Sequence, residues 1–352
     1  MKIRKLQKRR RRRMSKGLKR FFIICAIVVG AGILFSLAGF LTGGLNFLDR
    51  MSERYTWLRA GHADMEYIDI SDAGAFDSVS VKGGIDVTVA GSTETGSRGI
   101  SYDKNVGAPE YSVKDVVLTL DASMLNDGVV VNLSSDDDTP ELVISVPDER
   151  MKKLDVTSDY GDVDVSRVTL EEMSITTEDG DIDLRDVDCS SVTLTTEYGD
   201  VDLERVTSDK LTAGTQDGDI DMSNVTCSGT VLTSEYGDIE GENIKSSGLS
   251  VKSQQGDVDL QGEFSGTTDV YLACGDVELR TSMARDLYTI DAQAKSGEIG
   301  IGSGHHDWDD DDDEDDRHGQ YESHGGRIST GSGQNILKIV NDLGDIDISF
   351  GK

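Results

Sequence analysis

The chain has 352 residues and a net charge of −31, but its charges are unevenly distributed. Residues 1–20 hold twelve Lys or Arg and no acid, residues 21–48 hold no charge, and the remaining body carries 23 bases against 66 acids. Such an acidic body repels the phosphates of DNA and RNA, whose binding depends on Lys and Arg, so nucleic-acid binding is excluded.

Residues 21–48 form an uncharged, largely apolar segment. As a helix it would span roughly 42 Å, which exceeds the roughly 30 Å hydrocarbon core of a bilayer. The sequence therefore predicts a transmembrane helix in contact with membrane lipid. The polybasic tail at 1–20 places the N-terminus in the cytoplasm and the acidic body outside the cell membrane, as a single-pass protein. The alternative is a cleaved signal peptide, since Ser36-Leu37-Ala38 is an acceptable cleavage site.

Residues 49–65 are interpreted as a juxtamembrane linker. Residues 66–150 contain stretches in which apolar and polar residues alternate, such as FDSVSVKGGIDVTV and VVLTLDAS, separated by polar loops. Alternation of period two is typical of strands with one buried face. This part is therefore predicted to be an N-terminal β region that caps the repeats after it.

Residues 151–302 contain a repeated phrase, seen as YGDVDV, DGDIDL and their variants. The residue two places after each glycine is Val or Ile, and those one and three places after it are acidic. This pattern predicts short strands on both sides of a Gly-Asp turn, two per repeat. The glycines recur every 19 residues, at Gly161, Gly180, Gly199, Gly218, Gly237, Gly256 and Gly275.

A unit of 19 residues cannot bury its apolar face alone, so successive copies are expected to stack. The predicted fold is all-β, a parallel β-solenoid of about seven or more 19-residue rungs, preceded by the single transmembrane helix. Rungs of such a solenoid lie about 4.8 Å apart. Cys189 and Cys227 then occupy the same position two rungs apart, which is too far for a disulfide.

Residues 303–327 are rich in His and Asp and are predicted to be a disordered surface insertion. Their histidines and carboxylates suit divalent metals, but the spacing matches no fixed motif. Residues 328–352 contain GDIDISF, a further copy of the phrase, and are predicted to form a C-terminal β cap.

Two stretches carry a family resemblance: GGIDVTV at 83–89 and LVISVPDERMKKLDVTSDYGDVDV at 142–165. With the later Gly-Asp phrases, they make residues 66–350 resemble a family of adhesin-like bacterial envelope proteins with β-strand repeats, whose function is mostly unassigned. The resemblance implies a β-solenoid outside the cell, often on one membrane anchor, with no catalytic residues. The His/Asp insertion and the high acidity depart from the family pattern.

The acidic positions of the phrase are the first candidate site. Stacked carboxylates about 4.8 Å apart repel one another, and one candidate for offsetting this is Ca²⁺, which binds carboxylate and carbonyl oxygens. The alternative is that the aspartates accept N–H groups of the turns while solvent screens their charge. The candidate cation ladder comprises Asp162, Asp181, Asp200, Asp219, Asp238, Asp257 and Asp276, and a second column holds Asp164, Asp183, Asp202, Asp221, Glu240, Asp259 and Glu278.

Three tyrosines form the second candidate site. Tyr160, Tyr198 and Tyr236 precede the glycines of alternate repeats, so they are expected on one edge as a ligand stripe for sugars. The alternative is that each ring packs over its own turn.

No GxSxG, P-loop or HExxH motif is present, and the repeats are poor in bases. The expected function is a non-enzymatic envelope protein that binds or has a structural role, with an envelope protein or wall glycan as partner. No cofactor is expected apart from Ca²⁺. The alternatives are an accessory of envelope-stress signalling that acts through a membrane partner, and a carbohydrate-active enzyme on the solenoid face.

Overall fold

A computed structural model describes residues 65–91, 98–104, 107–123, 141–146, 150–303 and 321–351, which all belong to one compact unit. The tail at 1–20, the predicted membrane helix at 21–48 and most of the acidic insertion lie outside these residues. Among the described residues, no helix has the length and apolar character needed to cross a membrane. Their regular structure is β apart from two 3₁₀ turns, Ser71–Ala73 and Arg285–Leu287, which confirms the all-β prediction.

The described strands fall into three groups along the chain. The N-terminal group is β1 (Met65–Asp69), β2 (Ser78–Gly83), β3 (Asp86–Gly91), β4 (Gly99–Asp103), β5 (Glu110–Lys114), β6 (Val117–Asp121) and β7 (Glu141–Val146). The repeats form β8 (Met151–Tyr160), β9 (Val163–Asp179), β10 (Ile182–Tyr198), β11 (Val201–Asp217), β12 (Ile220–Ser223), β13 (Thr226–Tyr236), β14 (Ile239–Gln255), β15 (Val258–Leu272) and β16 (Val277–Ala284). The C-terminal group is β17 (Tyr288–Ser303), β18 (Tyr321–Gly331), β19 (Asn335–Asn341) and β20 (Ile346–Gly351).

The repeat strands stack in parallel with the register that the sequence period requires. Ile182 lies opposite Val163 on one side and Val201 on the other, so equivalent residues of consecutive repeats are direct neighbours. The same offset continues through β11, β13, β14 and β15. Each repeat is therefore one rung, as predicted.

The interior of a rung differs from the prediction of two short strands. Strand β9 runs for 17 residues, and its buried side chains fall into three alternating segments. The alternation of buried and exposed side chains is interrupted twice, at 166–167 and at 171–172. At each place two consecutive side chains are not buried, which shifts the alternation by one residue. A rung therefore has three segments separated by three corners: the Gly-Asp corner, a second corner at 167 and a third corner at 171–172.

The second corner is made by residues with positive φ that are not glycine. Their φ angles lie between 54° and 58°, in the left-handed region that Asn and Asp tolerate better than most residues. No glycine marks this corner in most repeats, which is why the two-strand prediction missed it. The corner residues are Arg167, Asp186, Arg205, Asn224 and Asn243.

The N-terminal β region does more than cap the repeats. Strands β2 and β3 pair in parallel with β8 and β9 on one side and with β6 and β7 on the other. They are therefore a rung of the solenoid, between the β6–β7 rung and the first repeat. Antiparallel strands complete this end, with β5 beside β6 and β4 between β7 and β1.

The C-terminal end also differs from the predicted cap. Strands β19 and β20 pair in parallel with β15 and β16 on one side and with β17 on the other. Strands β19 and β20 are thus inserted between two rungs that precede them in sequence. The phrase GDIDISF fits there because it has the same alternation as the repeats. Strand β18 pairs antiparallel with β17, so residues 321–327 of the predicted insertion are in a strand.

The core is a narrow column of Val, Ile and Leu side chains, with buried hydroxyl groups beside the Gly-Asp corner. Thr196 and Thr215 donate to the carbonyls of Gly180 and Gly199, the turn glycines of their neighbouring rungs. These two hydroxyl groups therefore supply hydrogen bonds to turn carbonyls from inside the solenoid. The buried residues that carry the hydroxyl groups beside the Gly-Asp corner are Ser158, Thr177, Thr196, Thr215, Ser234 and Ser253.

Candidate functional site

The aspartates one place after the turn glycines form a hydrogen-bonded ladder. The Oδ1 atom of Asp162 accepts the backbone N–H of Asp181 at 2.9 Å, and Asp181 accepts that of Asp200 at 2.8 Å. The same bond joins each following pair up to Asp276, with distances of 2.7 to 2.8 Å. A carboxylate that accepts an N–H makes a charge-assisted hydrogen bond, so each aspartate ties its rung to the next.

The ladder is longer than the seven residues identified in the sequence. Asp86 of the β2–β3 rung accepts the N–H of Asp162 at 3.0 Å. At the other end, Asp276 accepts the N–H of Asp345, and Asp345 accepts that of Glu298, each at 2.7 Å. The phrases GGIDV, GDIDI and GEIGI were the signal for these three members, but their order in the stack cannot be read from the sequence.

This bonding favours the alternative in which the aspartates accept N–H groups of the turns, although the donor belongs to the next rung. One oxygen of each carboxylate is occupied by a protein donor. No group of three or more His, Cys, Asp or Glu within the described residues is arranged to hold a metal ion. Cation binding by the ladder stays a prediction.

The glycine of the Gly-Asp corner allows neighbouring rungs to approach closely. Gly237 has a φ of +143°, and a Cβ added there would lie 2.0 Å from the carbonyl oxygen of Gly218. Any side chain would collide with the backbone of the preceding rung. The invariant spacing of these glycines is thus a requirement of stacking, not of ligand chemistry.

The second acidic column lies beside the ladder, and Arg280 donates to two of its members, Asp259 and Glu278. Asp183 lies opposite Asp164 and Asp202, and the column continues through Glu278 to Asp347. Burial, together with the charges of Asp164 and Asp202, raises the pKa of Asp183 to about 6. Burial raises the pKa of Asp347 to about 6. The charges of neighbouring carboxylates act in the same direction, and that of Glu278 has the largest effect among them. Asp183 and Asp347 are therefore the positions of this column at which like charges repel one another at neutral pH.

The three tyrosines line up at the Gly-Asp corner, as predicted from their spacing. Tyr160 lies opposite Asp179, which lies opposite Tyr198, and Asp217 separates Tyr198 from Tyr236 in the same way. We call these five residues the Tyr corner. The side chains of Tyr160, Tyr198 and Tyr236 are 53%, 46% and 46% exposed, so about half of each is open to solvent.

The surroundings of the Tyr corner are strongly anionic. The charge of Glu197 and a hydrogen bond to it raise the pKa of Tyr198, and Asp217 and Glu178 act in the same direction. A neutral phenol with carboxylates beside it is a hydrogen-bond donor and an aromatic surface in a negative field. This environment suits a cationic ligand better than an anionic one.

A polar groove that was not predicted from the sequence runs along the third corner of the rungs. Its volume is about 520 Å³ and its floor contains Cys189 and Cys227. Both cysteines are free and buried, and burial raises the pKa of Cys227 to about 11, so the floor is uncharged. Small side chains such as Ser228 leave the groove open, and an ion pair between Lys245 and Glu263 at 3.3 Å lies in its wall.

The parallel rungs, the ladder and the repeated corners define a solenoid-like repeat protein. The family model named Toastrack DUF4097 matches residues 78–273 and 232–349, which together cover more than half of the chain. The chain therefore belongs to the Toastrack DUF4097 family. The resemblance to adhesin-like envelope proteins of unassigned function is confirmed. Among curated proteins, none matches the chain.

Several solved structures are similar to this chain. One described as a "putative adhesin" from Bacteroides fragilis is 17% identical, with a TM-score of 0.42, over 82% of this chain and 99% of that one. Another "putative adhesin", from Parabacteroides merdae, is 12% identical, with a TM-score of 0.41, over 83% and 97%. A "putative lipid binding protein" from Parabacteroides distasonis is 10% identical, with a TM-score of 0.44, over 82% and 99%.

Proposed function

We propose that this protein is a non-enzymatic, adhesin-like protein of the bacterial cell envelope that binds a partner through the corners of its solenoid. Its partner is an envelope protein or a wall glycan. The observation that carries the proposal is the Tyr corner, where three aromatic side chains are about half exposed in register. Exposed aromatic residues in one row are typical of interaction surfaces.

The proposal includes a location outside the cell membrane. The uncharged segment at 21–48 anchors the chain in lipid, and the twelve basic residues before it remain in the cytoplasm. The acidic body is then extracytoplasmic, where its net charge keeps it soluble and keeps copies apart.

The test is crosslinking in intact cells with a photoreactive amino acid at position 160, 198 or 236, followed by mass spectrometry of the adducts. The matched control carries the same amino acid at Thr193, which is exposed on the third segment of the rung that holds Tyr198. We expect adducts from the Tyr corner that the control position does not give.

The adducts identify the class of partner. Wall polymer or an extracellular protein supports a surface-binding role with the helix as a tether. A single membrane protein of the same cell would replace this role with that of a signalling accessory. Adducts no more abundant than those of the control would contradict binding through this corner.

A further inference from the structure

We propose that the Tyr corner is a pair of cation-binding slots that take Arg or Lys side chains of a basic protein segment. Each slot has a tyrosine on either side and a carboxylate between them. The first slot is Tyr160, Asp179 and Tyr198, and the second is Tyr198, Asp217 and Tyr236. This inference rests on the proposed binding function and specifies the chemistry of the partner.

The distance between the tyrosines fits a cation. Adjacent rungs of a parallel sheet are about 4.8 Å apart, so tyrosines on alternate rungs are about 9.6 Å apart. A cation midway between them lies about 4.8 Å from each ring, within the roughly 6 Å over which an ammonium or guanidinium group is attracted to an aromatic ring. Tyrosines on successive rungs would leave no room for such a group.

The carboxylates between the tyrosines supply negative charge to balance a bound cation. Asp179 and Asp217 are exposed, and Glu178 and Glu197 lie beside the same corner. A cation that enters a slot therefore meets a carboxylate as well as the two aromatic side chains. A neutral sugar gains nothing from these carboxylates, so the alternation of Tyr and Asp favours a cation over the glycan expected from the sequence.

The two slots share Tyr198, and their centres are about 9.6 Å apart. A polyproline II segment has three residues per turn and rises about 3.1 Å per residue, so every third side chain recurs at about 9.3 Å on one side. An extended segment with Arg or Lys at every third position can therefore fill both slots. The partner we infer is a protein with an exposed basic segment of this kind.

The experiment measures binding of a labelled peptide to the purified full-length protein in detergent. The peptide carries two arginines separated by two prolines, and its control carries citrulline, which is neutral, in place of each arginine. We expect the arginine peptide to bind and the citrulline peptide not to bind. Tyr198→Leu should weaken binding about tenfold, because it removes one aromatic side chain from each slot. Tyr198→Phe should bind like the unsubstituted protein.

Two controls separate the slots from general attraction to an acidic protein. Tyr271→Leu removes a tyrosine on the third segment that is 36% exposed and bonded to Asp342. Asp188→Asn removes an exposed carboxylate away from the Tyr corner, whereas Asp217→Asn removes one from a slot. We expect only the slot substitutions to weaken binding, with thermal unfolding confirming that every variant is folded.

Equal losses for Tyr198→Leu and Tyr271→Leu, or no loss for either, would overturn the inference. So would displacement of the peptide by choline but not by free arginine, since the slots would then be sites for quaternary ammonium groups. These results are independent of crosslinking in cells, where failure to recover a partner contradicts the proposed function itself.

Discussion

The carboxylate of Asp345 accepts the backbone N–H of Glu298 at 2.7 Å, although Asp345 follows Glu298 by 47 residues. The N–H of Asp345 in turn donates to Asp276. The stacking order at this end is thus Asp276, Asp345 and Glu298, which is not the order of the chain. The rung formed by β19 and β20 joins β17 to the rest of the solenoid.

A substitution in this inserted rung should therefore destabilise strands that precede it. Ile346 is fully buried between Val277 and Ile299. Ile346→Asp buries an unpaired charge, at a cost on the order of 4 kcal/mol. Hydrogen–deuterium exchange should increase in 288–303 as well as in 335–351, and residues 163–217 should stay protected.

The matched variant is Lys338→Ala in the same rung. Lys338 is half exposed and pairs with Asp269 at 3.0 Å, so its loss should change stability by no more than about 0.5 kcal/mol. If Ile346→Asp increased exchange only in 335–351, the stability of strand β17 would not depend on the inserted rung.

The turn glycines should be intolerant of any side chain. Gly237→Ala should destabilise the protein by on the order of 3 kcal/mol, because the new Cβ would collide with Gly218 and because φ is positive. Gly248 lies in the same strand, β14, and a Cβ there would have its nearest neighbour at 3.8 Å. Gly248→Ala should be neutral or slightly stabilising in urea-induced unfolding. Equal effects of the two substitutions would show that close stacking is not the reason for the repeated glycine.

The ladder aspartates should be needed as hydrogen-bond acceptors more than as charges. Asp219 accepts the N–H of Asp238 at 2.7 Å. Asp219→Ala leaves this donor without its partner and should cost about 2 kcal/mol of unfolding free energy. Asp219→Asn keeps an acceptor oxygen and removes one of a row of like charges, so it should cost much less. An Asn variant as unstable as the Ala variant would indicate that the negative charge itself is required.

The predicted binding of Ca²⁺ can be tested with the same protein. If the ladder binds Ca²⁺ specifically, chelation should lower the melting temperature and Ca²⁺ should restore it, while Na⁺ at equal ionic strength should not. Because the Oδ1 atoms already accept N–H groups, we expect the two salts to raise the melting temperature alike, by screening. A calcium-specific recovery would establish a binding site.

The second acidic column should make stability depend on pH. The pKa of Asp183 is about 6 in the folded protein, above the value of about 3.9 in an unfolded chain. The folded state therefore binds more protons between these values, and this contribution to stability is complete below about pH 4 and lost as the pH rises through 6. Asp183→Asn should stabilise the protein at neutral pH by about 1 kcal/mol, allowing for solvent screening, and by much less at pH 4.

The control for Asp183→Asn is a carboxylate of the same rung that lies outside the second acidic column. Asp188 is exposed on the second segment, so Asp188→Asn should leave the urea midpoint nearly unchanged at both pH values. A gain from Asp183→Asn that is the same at pH 4 and at neutral pH would contradict the assignment of repulsion to this column.

The stacking of the repeats could be predicted because it follows from local features. The period of 19 residues and the alternation around each glycine determine the register, which the pairing of Ile182 with Val163 and Val201 confirms. The alignment of the three tyrosines follows from the same period. Their exposure does not, since a ring beside a turn can pack against it or point away from it.

The features that were missed depend on contacts distant in sequence or on backbone conformation. The corner at Arg167 lacks the glycine that usually marks a positive φ. Strand β20 lies between β16 and β17, where Ile346 is opposite Val277 on one side and Ile299 on the other. Ile299 is the same type of residue as Ile346, so either strand could be expected beside β16. The local sequence pattern cannot predict the order of these strands in the stack, because their buried side chains are interchangeable.

The position of β19 and β20 has a consequence for synthesis of the protein. The middle rungs can stack one after another as the chain emerges, but residues 335–351 are synthesised after β17 and lie between β17 and the rung of β15 and β16. Until they arrive, the neighbouring rungs expose unpaired sheet edges, which favour aggregation and proteolysis. A chain cut before residue 335 would keep these edges exposed, so the integrity of β15 to β17 depends on residues that are synthesised after them.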